Sequence, residues 1–333
     1  MGGFLRDQSN LFIITLLFSI RAAFLPFFVK PINQLRNSMM TRPIERREFL
    51  KVAGTAGAGI GLVGLAGRPL FAKKLADGAP NAEKLGWRLG CQAYSFNRFT
   101  FYEAVDKNAS LGLKVIEAYP GQRLSKEKPD VRFGESMSPE IRKEVKKKLA
   151  DSGVKLVNFG VGGSGRKTFE FAKDMGIETL VSEPDPKAFD GIEKLCDEFQ
   201  INLAIHNHPK ASRYWNYETV LEVCKGRSKR IGACADTGHW MRSDIKPVDA
   251  IKALEGRIIS FHFKDLNKYG RGAHDVPWGT GQADVKAILT EVHRQKLKAV
   301  FSVEYEYHWD NSLPEIAQCV QYFDKVAAEL AKT

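Results

Sequence analysis

The chain has 333 residues, which is long enough for one closed α/β barrel or for two ordinary domains. Residues 1–72 supply six of the eleven net positive charges, and the rest of the chain has no Lys/Arg stripe interleaved with aromatic side chains. This distribution argues against a nucleic-acid partner. The five cysteines are odd in number and form no C-x-x-C pair, which argues against a zinc knuckle and a dense disulfide framework.

Residues 1–72 are predicted to be an N-terminal extension with an export signal. In TRPIERREFLKVAGTAGAGIGLVGLAG, Arg46 and Arg47 precede a Phe-Leu-Lys triplet and a Gly/Ala-rich apolar run. This order resembles the twin-arginine (Tat) export signal, and the resemblance implies delivery to the periplasm or beyond by the Tat export machinery. An earlier apolar run, LFIITLLFSIRAAFLPFFV, is broken by Arg21 and Pro26, so membrane anchoring by the N-terminus stays open.

Residues 73–333 alternate β-branched apolar runs with amphipathic stretches, which is the pattern of repeated βα units. Eight strands are predicted, in WRLGCQAYSF, LKVIEAY, VKLVNFGV, ETLVSEP, INLAIHNH, RIGACADTG, RIISFHFKD and AVFSVEYE. Each is followed by a predicted helix, in TFYEAVDKNASLG, SPEIRKEVKKKLADSG, SGRKTFEFAKDMG, KAFDGIEKLCDEFQ, YWNYETVLEVCKG, PVDAIKALEG, ADVKAILTEVHRQ and LPEIAQCVQYFDKVAAELA. Eight such units in a chain of this size indicate a single (β/α)8 TIM barrel domain.

An open doubly wound sheet is the competing fold for the same alternation. It is disfavoured because the dinucleotide fingerprint G-x-G-x-x-G is missing after the first strand. The glycine-rich GVGGSGRKT after the third strand lacks the Gly-Lys-Ser/Thr of a phosphate loop, so no nucleotide site is predicted there.

Titratable residues stand at the carboxyl ends of six of the eight predicted strands. In a barrel these ends meet on one rim, so residues far apart in sequence come together there. Crowded imidazoles and carboxylates would suffer desolvation and mutual repulsion unless a cation neutralised them. Mixed His, Asp and Glu ligands without cysteine suit manganese, cobalt, zinc, iron or magnesium, and ligand type alone does not choose among them. One divalent ion is expected, with manganese, cobalt or zinc as the leading identities. The candidates are Glu117, Glu183, His206, His208, Asp236, His239, His262, Lys264, Asp265, Glu304 and Glu306.

Four motifs follow one another from the end of the sixth strand to the end of the eighth: ADTGHW, ISFHFKD, HDVPWGTGQAD and VEYE. They resemble the sugar phosphate isomerase/epimerase family, whose fold is the xylose isomerase-like TIM barrel. In ketose 3-epimerases of that family, Glu, Asp, His and Glu from the last four strands hold one divalent metal. The resemblance implies Asp236, His262 and Glu304 as ligands here, whereas the fifth strand departs from the pattern and presents His206.

That departure changes the expected chemistry. Glu304 remains as a proton-transferring carboxylate, but a metal-bound imidazole at His206 has no free lone pair to act as the second base. Either another side chain supplies that base, or the reaction needs one base only, as in β-elimination or hydration through an enediolate. In the second case Lys264 would assist the oxyanion or protonate a leaving group. The candidates for the second base are Glu183, His208 and His239.

Substrate contacts are predicted for two polar residues, Glu117 and His274. His274 lies in GRGAHDVPWGTG, which is interpreted as a mobile loop over the site. Aromatic residues near the rim can stack on sugar faces. Those proposed for this role are Tyr94, Phe96, Tyr119, Trp240, Trp278 and Tyr305.

The residues and the resemblance together predict a divalent-metal-dependent isomerase, epimerase or lyase acting on a keto-sugar or keto-glycoside. Export favours free or glycosidic sugars as substrates, since sugar phosphates are cytoplasmic metabolites. One alternative is a metal nuclease resembling the apurinic-site endonucleases, which is disfavoured because the second and third strands supply no histidine. Another is a non-catalytic periplasmic sugar-binding barrel. A homo-oligomer is possible under each interpretation.

Overall fold

The structure, a computed structural model, describes residues 74–333, so the predicted extension and its boundary at residue 72 lie outside the described residues. Eight parallel strands form one closed barrel in chain order, and the last strand pairs with the first. The predicted (β/α)8 TIM barrel and all eight predicted strands are confirmed. The strands are β1 (Arg88–Gln92), β2 (Val115–Ala118), β3 (Lys155–Gly162), β4 (Thr179–Ser182), β5 (Asn202–His206), β6 (Ile231–Asp236), β7 (Ile258–Phe263) and β8 (Val300–Val303).

Each of the eight predicted helices is present between or after the strands. Two further short α-helices were not predicted: one precedes β1, and the other begins directly at the end of β6. Two short 3₁₀ helices, Ala93–Phe96 and Pro186–Ala188, were not predicted either. The helices are α1 (Pro80–Lys84), α2 (Phe101–Ser110), α3 (Pro139–Asp151), α4 (Arg166–Met175), α5 (Phe189–Phe199), α6 (Tyr217–Cys224), α7 (Thr237–Arg242), α8 (Pro247–Ala253), α9 (Val285–Arg294) and α10 (Leu313–Leu330).

The ADTGHW motif forms the junction between β6 and α7. Asp236 is the N-cap of α7, and its Oδ1 accepts a hydrogen bond of 2.7 Å from the backbone N–H of His239. Gly238 lies so close to Lys264 that a Cβ at this position would be 2.6 Å from Lys264 Cδ. The motif therefore directs one carboxylate oxygen of Asp236 toward the backbone of α7. The missing side chain at Gly238 leaves space for the buried Lys264.

An aromatic layer fills the space between β7, β8 and the surrounding helices. The rings of Phe261 and Phe301 are stacked with centroids 4.5 Å apart, and Trp278 packs edge-on against Phe263 at 4.8 Å. Trp240, on α7, belongs to the same buried core. Large rings suit this position because the outer ring of helices must pack against the barrel, and aromatic side chains bury much apolar area there.

The loop between β7 and α9 is tied to the end of β7 by Asp265. Its carboxylate accepts hydrogen bonds of 2.9, 2.9 and 3.0 Å from the backbone N–H groups of Gly279, Gly281 and Ala283. A Cβ at Gly281 would lie 2.2 Å from Asp265 Oδ1, so only glycine allows this close approach. Asp265, one of the predicted rim candidates, thus anchors the loop.

All five cysteines are buried as free thiols, which pack as small apolar side chains. Across residues 74–333, no helix has the length and apolar character needed to cross a membrane.

Candidate metal centre and substrate cavity

Four buried side chains from the consecutive strands β5 to β8 converge at the carboxyl end of the barrel. His206, Asp236, His262 and Glu304 each offer one ligand atom, and these atoms lie within 4.8 Å of one another. His206 Nε2 is 3.4 Å from Asp236 Oδ2, and His262 Nδ1 is 3.1 Å from Glu304 Oε2. Neither nitrogen has a hydrogen-bond partner among the described residues. Unpartnered buried nitrogens beside two carboxylates form a donor set that fits a divalent metal.

Glu117 lies beneath this cluster and orients His262. His262 Nε2 donates a hydrogen bond of 2.8 Å to Glu117 Oε1, which leaves Nδ1 free to face Glu304. Gln92 Nε2 donates to the same oxygen at 3.0 Å, and Ser302 Oγ donates to Glu117 Oε2 at 2.5 Å. A carboxylate on the far side of a ligating imidazole is the usual means of fixing its tautomer and direction. The predicted substrate contact of Glu117 has no support from this position, because its side chain is fully buried below the ligands.

Glu183 and His208 form a second pair above His206. Glu183 Oε1 accepts hydrogen bonds from the Nδ1 atoms of both His206, at 3.2 Å, and His208. Burial would raise the pKa of Glu183, but the hydrogen bonds and charges of the two imidazoles outweigh it and lower the pKa to about 2. The same hydrogen bond raises the pKa of His208. The contact with Glu183 therefore favours the protonated form of His208.

Lys264 is a fully buried cation next to two of the proposed ligands. Its Nζ donates to Asp236 Oδ2 at 2.8 Å and to Glu304 Oε2 at 2.6 Å, and lies 3.1 Å from Glu306 Oε2. Burial alone would lower the pKa of Lys264, but these three carboxylates raise it well above its usual range. The Lys264 side chain has no exposed surface. Its position suits a fixed counter-charge better than a donor to a leaving group.

Arg242, on α7, fixes the tautomer of His239. Its Nη1 donates to His239 Nδ1 at 3.0 Å and to Glu306 Oε2 at 2.9 Å, and its Nη2 donates to Asp275 Oδ2 at 3.1 Å. A guanidinium can only donate, so Nδ1 of His239 is an acceptor and the ring proton sits on Nε2. Burial lowers the pKa of His239 well below its usual value, and the cations around it add to this effect. His239 is thus a neutral ring that presents an N–H.

The cluster opens into a cavity of about 370 Å³ at the rim, which we call the inner cavity. Its wall on the side of β5, β6 and β8 carries imidazoles and carboxylates, whereas the opposite wall carries uncharged and aromatic groups. The first set is His206, His208, His239, Glu304 and Glu306, and the second is Gln92, Tyr94, Tyr119, Pro120, Gly160 and Val161. One wall supplies charged and titratable groups, and the other supplies surfaces on which a sugar ring can lie.

The predicted substrate-binding residues lie in three different environments. Tyr94 is on the cavity wall, in edge-to-face contact with Tyr119 at 5.0 Å between ring centroids. Trp240 and Trp278 are 1% and 2% exposed and belong to the core, so their positions give no support to sugar stacking. His274 packs against Tyr307, at 4.3 Å between centroids, and does not line the inner cavity.

Two groups of residues at the site were missed by the sequence reasoning. Arg242 and Asp275 belong to the ion network around His239, and Gln92 lines the inner cavity and supports Glu117. The one available signal was the spacing of Arg242 three residues after His239, which places both on one face of a helix. It was overlooked because no helix was predicted at this point.

Comparison with known proteins identifies the family of this chain. The family described as Xylose isomerase-like TIM barrel matches residues 105–326. This chain belongs to that family. A curated relative, an uncharacterized protein of Sinorhizobium fredii, is 28% identical over 120 residues, which cover 34% of this chain and 37% of the relative.

Solved structures of related barrels share the fold. A protein of uncharacterized function from Parabacteroides distasonis is 32% identical, with a TM-score of 0.60 over 72% of this chain and 99% of that one. A D-tagatose 3-epimerase-like protein is 15% identical, with a TM-score of 0.58 over 74% of this chain and 100% of that one. A xylose isomerase-like TIM barrel protein from Mycobacterium smegmatis, in complex with magnesium, is 13% identical, with a TM-score of 0.59 over 73% and 97%. The last two likenesses show a common fold.

Proposed function

We propose that this protein is a divalent-metal-dependent enzyme that removes the proton next to the carbonyl of a keto-sugar or keto-glycoside, as an isomerase, epimerase or lyase. The observation that carries the proposal is the four-residue ligand cluster, of which His206 and Glu304 line the inner cavity. Its two unpartnered imidazole nitrogens point to a metal, and the aromatic wall opposite suits a carbohydrate. The epimerase-like and magnesium-bound relatives of the same fold agree with this assignment.

The metal would be held by His206, Asp236, His262 and Glu304. When bound, it would polarise the carbonyl oxygen of the substrate and so make the neighbouring C–H bond more acidic. Glu117 would keep His262 Nδ1 directed at the ion, and Lys264 would offset the negative charge of the carboxylates. The roles of these residues in the proposal rest on their contacts alone.

Glu304 is the proposed general base. It lines the inner cavity, and its contacts with Lys264 and His262 involve Oε2, which leaves Oε1 outside these interactions. Burial would raise the pKa of Glu304, but the charge of the Lys264 ammonium group outweighs it and lowers the pKa below its usual value. Glu304 is therefore ionised and ready to accept a proton once the substrate carbonyl is polarised.

His208 is the proposed general acid. Its Nδ1 is engaged by Glu183, and its ring lines the inner cavity 5.1 Å from His239 between centroids. A carboxylate base and an imidazole held by Glu183 on the same cavity suit β-elimination: the carboxylate would take the α-proton, and the imidazole would protonate the departing oxygen. The neutral His239 would donate its Nε2–H to a substrate oxygen. This arrangement favours the lyase form of the proposal without excluding epimerisation, in which His208 would exchange its proton with the substrate.

Metal content is the first test of the proposal. We expect about one equivalent of divalent metal by plasma mass spectrometry on protein purified without chelator, and its loss in an Asp236→Ala/His262→Ala variant. No bound metal after reconstitution with manganese, cobalt or zinc would overturn the proposal. Two or three equivalents of zinc would point to the nuclease alternative instead.

Turnover distinguishes the enzyme from a sugar-binding protein. The metal-loaded protein should convert at least one member of a panel of 3-keto-glucosides and free ketoses, and Glu304→Gln should abolish turnover. If Glu304→Gln changes only the affinity for the sugar, the protein is a binding module. Addition of chelator to the wild type provides the matched control, because it should remove turnover without altering the chain.

We also propose export by the Tat machinery. The support is the Arg46-Arg47 motif with its following apolar run, which lies outside the described residues. A variant with Arg46→Lys and Arg47→Lys should accumulate in the cytoplasmic fraction, whereas the wild type should not. Equal distribution of the two proteins between fractions would refute the export proposal.

A further inference from the structure

A second cavity, which we call the outer cavity, opens at the rim between the segments that follow β1 and β8. Its volume is about 740 Å³, and its lining includes Arg98, Trp309, Asp310 and Asn311. It is separate from the ligand cluster, and none of the residues assigned above to metal binding or proton transfer lines it. Neither the family nor the proposed reaction explains why this surface should be concave.

The inner and outer cavities are neighbours on the rim. Tyr94 lines the inner cavity, and its ring meets the ring of Trp309, which lines the outer cavity, edge-to-face with centroids 5.7 Å apart. The segment after β8 also borders both, since Glu304 and Glu306 line the inner cavity and residues 307–309 line the outer one. The aromatic pair of Tyr94 and Trp309 therefore stands at the border between the two cavities.

The lining of the outer cavity suits a neutral, hydroxyl-rich ring. Trp309 supplies a partly exposed aromatic surface, and Arg98, Asp310 and Asn311 supply exposed donors and acceptors around it. Charges of both signs are present, so the cavity has no strong preference for an anion or a cation. Aromatic surface combined with scattered hydrogen-bonding groups is the arrangement that binds the C–H face and the hydroxyls of a sugar.

We propose that the outer cavity binds a second sugar ring, so that the substrate is a glycoside of at least two rings. This inference rests on the proposed function, because it assumes that the reacting sugar occupies the inner cavity. The second ring would lie against Trp309, joined through its glycosidic oxygen to the ring beside Tyr94. In the lyase form of the reaction this ring would leave with that oxygen, after the α-proton has passed to Glu304 and a proton from His208 has reached the oxygen.

The test compares the affinities of disaccharides and monosaccharides. Cellobiose, lactose, maltose and trehalose would be titrated by calorimetry into the metal-loaded protein beside the methyl glycoside of the non-reducing sugar of each. At least one disaccharide should bind about tenfold more tightly than its methyl glycoside. Trp309→Ala should remove that gain and leave the affinity for the methyl glycoside unchanged, whereas Trp309→Phe should keep most of it.

Trp215→Ala is the matched control, because Trp215 is also partly exposed but lines neither cavity. It should leave the disaccharide preference intact. The proposal is overturned if every disaccharide binds no more tightly than its methyl glycoside, or if the gain survives Trp309→Ala. Metal content and turnover, measured on the same samples, report on the proposed function separately: a disaccharide preference without metal or turnover would retain the outer sugar site and reject the enzyme.

Discussion

The two ends of the barrel use charged residues in opposite ways. At the amino-terminal end, Arg88 pairs with Glu178 at 2.7 Å, and the two side chains are 44% and 47% exposed. At the carboxyl end, Lys264 pairs with Asp236 at 2.8 Å, and both side chains are 0% exposed. The two ion-pair distances are nearly the same, but the first pair is exposed to solvent and the second is not.

This difference decides what each pair contributes. An exposed pair gains little because water already solvates both ions, whereas a buried pair loses that solvation and is held only if every charge is compensated. The carboxyl end therefore carries an electrostatic cost that a stable barrel alone does not require. We interpret that cost as a sign of function, since buried ionic clusters in a cavity are typical of active sites.

Lys264→Met should give the largest effect. It removes the cation that compensates Asp236 and Glu304 and leaves both carboxylates buried, so we expect a loss of about 3–5 kcal/mol in the free energy of unfolding, measured by urea denaturation. Added divalent metal should restore more stability to this variant than to the wild type. A loss below about 1 kcal/mol would mean that the buried pair resembles the exposed one and would remove the contrast between the two ends.

Glu117→Gln should weaken metal binding about 10–100-fold, as measured by competition with a chelating indicator. The substituted amide brings N–H donors toward His262, Gln92 and Ser302, which all donate to Glu117 in the wild type. The same substitution at the other end, Glu178→Gln, is the matched control and should leave the metal affinity unchanged. Equal affinities in Glu117→Gln and the wild type would show that His262 needs no orientation.

Arg242→Met should remove the hydrogen bond that fixes the tautomer of His239. In the wild type, ¹⁵N shifts should report a protonated Nε2 and an unprotonated Nδ1, because Arg242 donates to Nδ1. The variant should show a mixture of the two tautomers and a fall of about tenfold in kcat, equivalent to about 1.4 kcal/mol. Arg242→Lys keeps a hydrogen-bond donor, so it should restore part of the wild-type ¹⁵N pattern and part of kcat. An unchanged ¹⁵N pattern in Arg242→Met would remove Arg242 from its positioning role.

Glu103→Gln tests a partly exposed carboxylate at the carboxyl end of the barrel. Glu103 completes a capping box with Thr100 at the start of α2 and pairs with Lys126, and these contacts lower its pKa to about 2 although burial opposes them. Because the pKa in the folded state lies below the usual 4.5, the stabilisation is present above pH 4.5 and is lost as the pH falls toward 2. The variant should lose about 1 kcal/mol at pH 7 and nearly nothing at pH 2. An equal loss at both pH values would assign the effect to packing.

Arg88→Ala should have the smallest effect. Its pair with Glu178 is well exposed, so we expect a change of no more than about 0.5 kcal/mol, and added salt should reduce the change further. Thermal unfolding at low and high salt provides the measurement. A loss comparable to that of Lys264→Met would contradict the distinction drawn between the two ends of the barrel.

The fold was predictable because its repeats are local patterns. In each βα unit, a β-branched run predicts the strand and amphipathic spacing predicts the helix. Eight such units in one chain of this size indicate a closed barrel. The ligand candidates could also be predicted, since the carboxyl ends of parallel strands must meet. His206 and Asp236 are the last residues of β5 and β6. His262 is the second-last residue of β7, and Glu304 directly follows β8.

The directions of side chains were decided by the tertiary structure. Trp240 stands next to His239 in sequence, yet its indole is buried in the core while the imidazole lines the cavity, because α7 turns neighbouring residues to different faces. Glu117 ends its strand like the other candidates, but lies beneath His262. The contacts of Lys264 and Arg242 are likewise three-dimensional, since they join groups from different strands. Sequence periodicity determined which residues reach the rim of this barrel, whereas packing among the strands determined which of them face the cavity, because a side chain's surroundings depend on neighbours that are distant in the chain.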